Sequence, residues 1–179
     1  LDAEWRIAKS VNGTRAEGLA ILPRGQEPPS ALFPCVEQEL IAAPALLDGY
    51  KFDCRAYVIV WNRPEFGYAV SRYVRVRHAP APHRRGVPET EICSTSFSRR
   101  RGIAARVSDL TAFEEAGRLR EVRPAVETAL AALMRAVART GPATPFFSIW
   151  GVDLAPIVNA DGLGALVLEL NVFPQLYNG

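Results

Sequence analysis

A chain of 179 residues that is 49% hydrophobic and 22% charged carries enough apolar material for a core of ordinary domain size, which excludes a disordered segment. Its formal net charge of +2 gives no electrostatic footprint for nucleic acid or a membrane surface, and no apolar run has the length of a membrane span or the form of a signal peptide. Three cysteines, Cys35, Cys54 and Cys93, are too far apart for a disulfide framework or a zinc site, so a reducing, cytoplasmic setting is the expectation.

Residues 5–11 predict a strand, 12–18 a small polar loop and 19–22 a returning strand. Residues 23–34, with four prolines, form a connector. Residues 35–41 and 52–61 predict further strands, in which Cys35 and Cys54 read as small core residues. Residues 67–77 alternate well enough for another strand, joined to the last through Asn62-Arg63-Pro64. Residues 78–101 read as loop, rich first in proline, then in serine and threonine, and ending in Arg99-Arg100-Arg101.

Residues 118–140 predict the one clear helix, because Leu119, Val122, Val126, Leu130, Leu133, Met134 and Val137 recur on one face. Gly141-Pro142 stops it. Residues 149–158 and 165–172 predict two apolar strands, the second buried, joined by the hairpin signal Asn159-Ala160-Asp161-Gly162. Antiparallel strands with few helices predict an α+β domain. The chain begins at Leu1 and holds one methionine, Met134, which predicts trimming from something longer.

The final hairpin holds the most informative residues. Glu169 and Asn171 are two apart on a strand and so project from one face, about 6.5–7 Å apart. Folding about Asp161 brings Asp153 opposite Glu169 to within about one residue of register, so three oxygen ligands converge. Oxygen donors among apolar residues need a partner, and Mg²⁺ takes carboxylate and amide oxygens well. The plainer reading is a hairpin whose polar residues face solvent.

Two other places carry charge in an ordered pattern. Lys9 ends a strand beside a loop with Gly13 and Gly18, where an ammonium and loop amides can meet a phosphate; an ordinary hairpin loop is the alternative. Lys51, Asp53 and Arg55 alternate with Phe52, Cys54 and Ala56 and share a strand face; Asp53 could instead neutralise its neighbours at a solvated surface. The runs His83-Arg84-Arg85 and Arg99-Arg100-Arg101 read either as a polyanion guide or as solvated charge. His78 and His83 have no partner that would make a catalytic pair.

These segments resemble, in order, the motifs of ATP-grasp ligases of the tubulin–tyrosine ligase-like family. Trp150-Gly151-Val152-Asp153 and 168–176 (LELNVFPQL) resemble its G-x-D and L-E-x-N-x-x-P-x-L signature. Residues 46–58 are similar to its L-L-x-G-x-K-F-D-x-R-x-Y-V, and 5–18 to W-I-x-K-P…G-x-R-G-x-G-I, with Ser10 for a proline and Ala16 for a glycine. Residues 37–41 resemble Q-x-Y-I, and 73–80 resemble V-R-F-A-x-x-P. In residues 93–98, Thr95 and Ser98 match H-L-T-N-Y-S, but its histidine and asparagine are missing.

The resemblance implies an ATP-grasp core with the nucleotide between two lobes, a glycine-loop lobe in 1–41 and a metal-binding lobe in 42–179, without the family's N-terminal acceptor domain. It implies ATP contacts by Lys9, Arg15, Gly18, Gln38, Glu39, Ile41, Lys51, Asp53 and Thr95. Arg55 and Arg77 would be the catalytic arginines, with Arg75 the alternative to Arg77. Asp153, Glu169 and Asn171 would hold Mg²⁺. The implied reaction joins an amino acid to a peptide or protein acceptor through an acyl-phosphate; an acidic acceptor follows if the arginine runs guide it. The alternative is a nucleotide-binding regulatory or degenerate module without ligase activity, favoured by Ala16 and the altered 93–98 segment.

Overall fold

The computed structural model describes residues 4–13, 17–140, 144–172 and 174. It is an α+β protein dominated by antiparallel strands, and it divides into two compact units: residues 1–52 with 77–107, and residues 53–76 with 108–179.

The first unit holds a three-stranded antiparallel sheet in the order β2-β1-β3, from β1 (Trp5–Ser10), β2 (Leu19–Pro23) and β3 (Cys35–Glu39). Ala8 at its centre is fully buried. In the ladder it stands opposite Ala20 on one side and Glu37 on the other. A single 3₁₀ turn, Ser30–Leu32, interrupts the proline-rich connector.

β4 (Leu46–Leu47) returns into β5 (Tyr50–Trp61) through Asp48-Gly49, with φ of 53° and 81°. Two central residues with positive φ make the turn whose twist suits a two-residue hairpin, and Asp-Gly is among its preferred sequences.

The larger sheet runs β7-β6-β5-β8-β9, adding β6 (Gly67–His78), β7 (Val107–Asp109), β8 (Phe147–Asn159) and β9 (Gly162–Asn171). β8 and β9 form the expected hairpin, closed by Asn159 opposite Gly162. Between Asp153 and Leu154 the register shifts, so that Glu169 opposes Asp153 while Val167 opposes Leu154. Leu168 is the extra residue, and the shift lets Glu169 and Val167 face opposite ways despite being two apart.

The described helices are short except one. α1 (Pro88–Glu91), α2 (Thr95–Arg100) and α3 (Leu110–Glu115) precede α4 (Val122–Thr140), which packs against β8 and β9 in the second unit. Val122, Val126, Leu130 and Met134 form its buried stripe, as the periodicity predicts. α4 starts at Val122 rather than at 118 because Gly117 and Leu119 have φ of 75° and 55°, which no right-handed helix accommodates. Pro124 fits its first turn, where an amide donor is not needed. Arg123 forks onto Glu114, with Nε and Nη2 each 2.8 Å from a carboxylate oxygen. The hydrogen bonds to Glu114 raise the guanidinium pKa above its ordinary value, against the opposing pull of burial.

Three expectations need correction. Residues 78–101 are not all loop: α1 and α2 lie within them. β9 is the edge strand of its sheet, and none of its residues is buried, because it has a strand neighbour on one side only. Cys54 is a core residue, but Cys35 is only half-buried at the start of β3.

Candidate functional site

β5 carries Lys51, Asp53 and Arg55 at alternate positions, opposite in direction to the buried Phe52, Cys54 and Ala56. Lys51 and Asp53 are themselves buried, and Arg55 is half-buried.

In the second unit, one rung of the sheet lines up Arg55, Asp153 and Glu169 on three neighbouring strands. Arg55 Nε and Nη2 donate to Asp153 Oδ1 and Oδ2 at 2.6 and 2.7 Å, a two-pronged pairing that fixes both planes. The side chain of Asp153 is 7% exposed, so Arg55 offsets the desolvation of a buried carboxylate. Glu169 is exposed and needs no such partner. The burial argument for an added cation therefore falls on Asp153 rather than on Glu169.

Two rungs on, and so on the same face, Tyr57, Gly151 and Asn171 lie side by side. A β-carbon on Gly151 would stand 2.8 Å from Pro174 Cβ and 3.6 Å from Arg55 Cδ. Pro174 thus folds back over the glycine two residues before Asp153. The amide nitrogen of Asn171 is buried without a hydrogen-bond partner.

Among the described residues, no three His, Cys, Asp or Glu side chains are grouped to hold a metal ion. The set that remains is two opposed carboxylates and one amide. Those are hard oxygen donors of the kind Mg²⁺ uses, since it binds few protein groups and keeps several waters. A carboxylate has about four lone-pair positions, more than the two that Arg55 takes.

In the first unit, Lys9 stands opposite Leu19 and Val36, and Gln38 stands opposite Ile7, so Lys9 and Gln38 share a sheet face. Glu39 opposes Arg6 and belongs to the other face, where Arg6 also pairs with Glu37 and the Gln26 carbonyl. Ile41 is half-buried just beyond β3. Gly18 has φ of 65°, and its β-carbon position lies 2.7 Å from Ser10 Cβ. A glycine is required there on both counts. Arg15 and Ala16 lie outside the described residues.

Lys51 is tied more tightly than the sequence suggests. Its Nζ donates to Glu91 Oε2 at 2.7 Å. The other oxygen of Glu91 is 3.2 Å from the Gly86 amide and 3.3 Å from His83 Nε2. His83 therefore has a carboxylate partner, contrary to the expectation for both histidines. Glu91 was not marked by the sequence, where it is one acid in an unremarkable Glu-Thr-Glu run. Cys93 Sγ lies 3.6 Å from the Lys51 carbonyl, and Thr95 opens α2. Arg77 is buried at the end of β6, whereas Arg75 is half-buried on the same strand. Arg100 pairs with Glu17 and Arg101 with Glu89, so part of the basic run is neutralised locally.

A family model described as the tubulin-tyrosine ligase family matches residues 2–69, which include Lys9, Lys51, Asp53 and Arg55. Tubulin polyglutamylase TTLL7 of Mus musculus is 41% identical over 54 residues, and so is its Homo sapiens counterpart. The aligned segment is 30% of this chain and only 6% of either relative. The matches make the N-terminal part of the chain, residues 2–69, similar to the tubulin-tyrosine ligase family. Arg77, Thr95, Asp153, Glu169 and Asn171 lie beyond the residues that the family model covers.

Proposed function

We propose that this chain is the nucleotide- and metal-binding core of an ATP- and Mg²⁺-dependent carboxylate–amine ligase that adds an amino acid to a peptide or protein acceptor. The observation that carries the reading is the rung of Arg55, Asp153 and Glu169, which sets a forked guanidinium beside two opposed carboxylates. The similarity of residues 2–69 to the tubulin-tyrosine ligase family and the short match to a tubulin polyglutamylase support it.

In this reading a substrate carboxylate attacks the γ-phosphorus of ATP and expels ADP. The acyl-phosphate that results then loses phosphate to an incoming amine, which forms the amide. Asp153, Glu169 and Asn171 would hold Mg²⁺, which supplies charge neutralisation to the phosphate oxygens. Lys9 and Lys51 bind phosphate as compact ammonium charges, with Arg15 and Gly18 in the covering loop. Gln38, Glu39 and Ile41 meet the adenine, largely through backbone, and Asp53 and Thr95 support the nucleotide. Arg55 and Arg77 stabilise charge on the transferring phosphoryl group, a role suited to a planar group that stays charged. Orientation and electrostatics carry the rate, and no general base is assigned.

The second reading is a nucleotide-binding module without ligase activity. It is favoured by the engagement of Arg55 with Asp153 and of Lys51 with Glu91, and by Cys93 and Ser96 where the family has histidine and asparagine. ADP release from ATP with a panel of acceptor peptides and amino acids separates the two. The ligase reading expects acceptor-dependent ADP, lowered at least roughly tenfold in Arg55→Lys while ATP affinity changes little, because the fork acts where charge develops. Undiminished ADP formation in that variant would make the strand charges structural. ATP binding with no acceptor-dependent ADP would select the second reading.

A further inference from the structure

We propose that Glu91 is a positioning residue for Lys51, and that His83 and the Gly86 amide fix the Glu91 carboxylate for that task. The inference rests on the reading above, in which Lys51 meets the phosphates of ATP.

A lysine side chain has four rotatable carbons and a charge without direction, so by itself it holds a phosphate loosely. Here the side chains of Lys51 and Glu91 are 7% and 0% exposed, and their charged ends are 2.7 Å apart. Glu91 is held in turn by its two further contacts, the Gly86 amide and His83 Nε2. The segment that carries it is clamped as well. Thr90 Oγ1 donates to the Arg84 carbonyl at 2.6 Å and accepts from the Arg84 amide at 2.9 Å. Gly86 lies directly beneath the Trp5 indole, where a β-carbon would come within 2.5 Å of the ring. At the other end of Lys51, its carbonyl accepts from the Ala79 amide at 2.9 Å and faces Cys93 Sγ.

The lysine is therefore anchored at the backbone and again at the ammonium. An ammonium has three donors, so one bond to Glu91 leaves others to meet a phosphate oxygen. A buried ion pair is poor evidence of a stabilising role, because apolar residues of the same volume often hold a fold as well or better. Fixing one charge where a ligand must find it is a use that apolar residues cannot supply.

The test is calorimetric titration of the whole chain with ATP and with adenosine, for the parent, Lys51→Met, Glu91→Gln, and the double variant. Glu91→Gln is expected to weaken ATP roughly tenfold, as loss of a charge-assisted bond implies, and to leave adenosine unchanged. In the Lys51→Met background the same substitution should have no further effect, since its action runs through the lysine. His83→Gln should weaken ATP by a smaller factor that also vanishes in that background, and it carries the cycle if Glu91→Gln does not fold.

Effects of Glu91→Gln that add to those of Lys51→Met, or that weaken ATP and adenosine alike, would overturn the proposal and leave Glu91 as ordinary scaffold. A Glu91→Gln chain with parental ATP affinity, where Lys51→Met binds poorly, would overturn it while sparing the nucleotide role of Lys51. If Lys51→Met itself binds ATP as the parent does, the nucleotide reading of Lys51 fails, and the positioning role fails with it.

Discussion

At Gly151 one hydrogen stands where any other residue would place a carbon, and the neighbour is the rigid ring of Pro174. A proline ring cannot swing aside as a long side chain can, so the strain must be taken by backbone. Gly151→Ala should destabilise the protein by about 1–3 kcal/mol, the usual range for overpacking, and chemical denaturation with native and variant chains measures it. Unchanged stability would mean that Pro174 does not pack there. The stem of Arg55, 3.6 Å from the new carbon, would meet it in ordinary van der Waals contact, so the strain falls on Pro174. At this scale the sequence was informative where residue types are unusual for their setting, as with Asp153 on an apolar strand. It was silent about partners far along the chain. Arg55 and Asp153 are 98 residues apart, and only the adjacency of β5 and β8 makes them a pair. Lys51 and Glu91 are 40 apart, and their pairing depends on α1, a helix of four residues that leaves no period to read.

The β4–β5 turn shows a different glycine effect. Gly49 has nothing within 4 Å of its β-carbon position but a φ of 81°, so a side chain there meets strain without collision. Gly49→Ala should therefore cost about 1 kcal/mol, less than the packed site at Gly151. A melting-temperature comparison of the two variants tests the order; an equal or larger loss at Gly49 would contradict the assignment of strain. Asp-Gly between two strand-like runs is a hairpin signal, and it was available in residues 46–52 although the pair was read only as part of a motif. The β8–β9 hairpin and α4 were legible because each sustains one period over many residues. The edge position of β9 was not, since an apolar run looks the same in the middle of a sheet as at its border. α4 begins later than its apolar stripe suggests because backbone conformation at Gly117 and Leu119 overrides side-chain periodicity.

For the molecule as a whole, the proposed nucleotide contacts of Lys9, Gly18, Gln38, Glu39, Ile41, Lys51 and Thr95 belong to the first unit, and the proposed metal ligands belong to the second. No described helix is long and apolar enough to cross a membrane. Arg99, Arg100 and Arg101 are exposed at the end of α2, and they are the feature that would attract an acidic acceptor. Replacing all three with serine should raise the acceptor's apparent KM and flatten its salt dependence, while ATP affinity stays as it was. Identical use of an acidic peptide by both chains across a salt series would assign the arginines to local pairs such as Arg101 with Glu89. The account as a whole stands on a metal-assisted nucleotide site, and titration of ATP with and without Mg²⁺ into the parent and Glu169→Gln chains tests it most directly. It predicts tighter binding with Mg²⁺ in the parent and loss of that metal-dependent gain in the variant. Equal affinity with and without the metal, or an undiminished gain in Glu169→Gln, would contradict it.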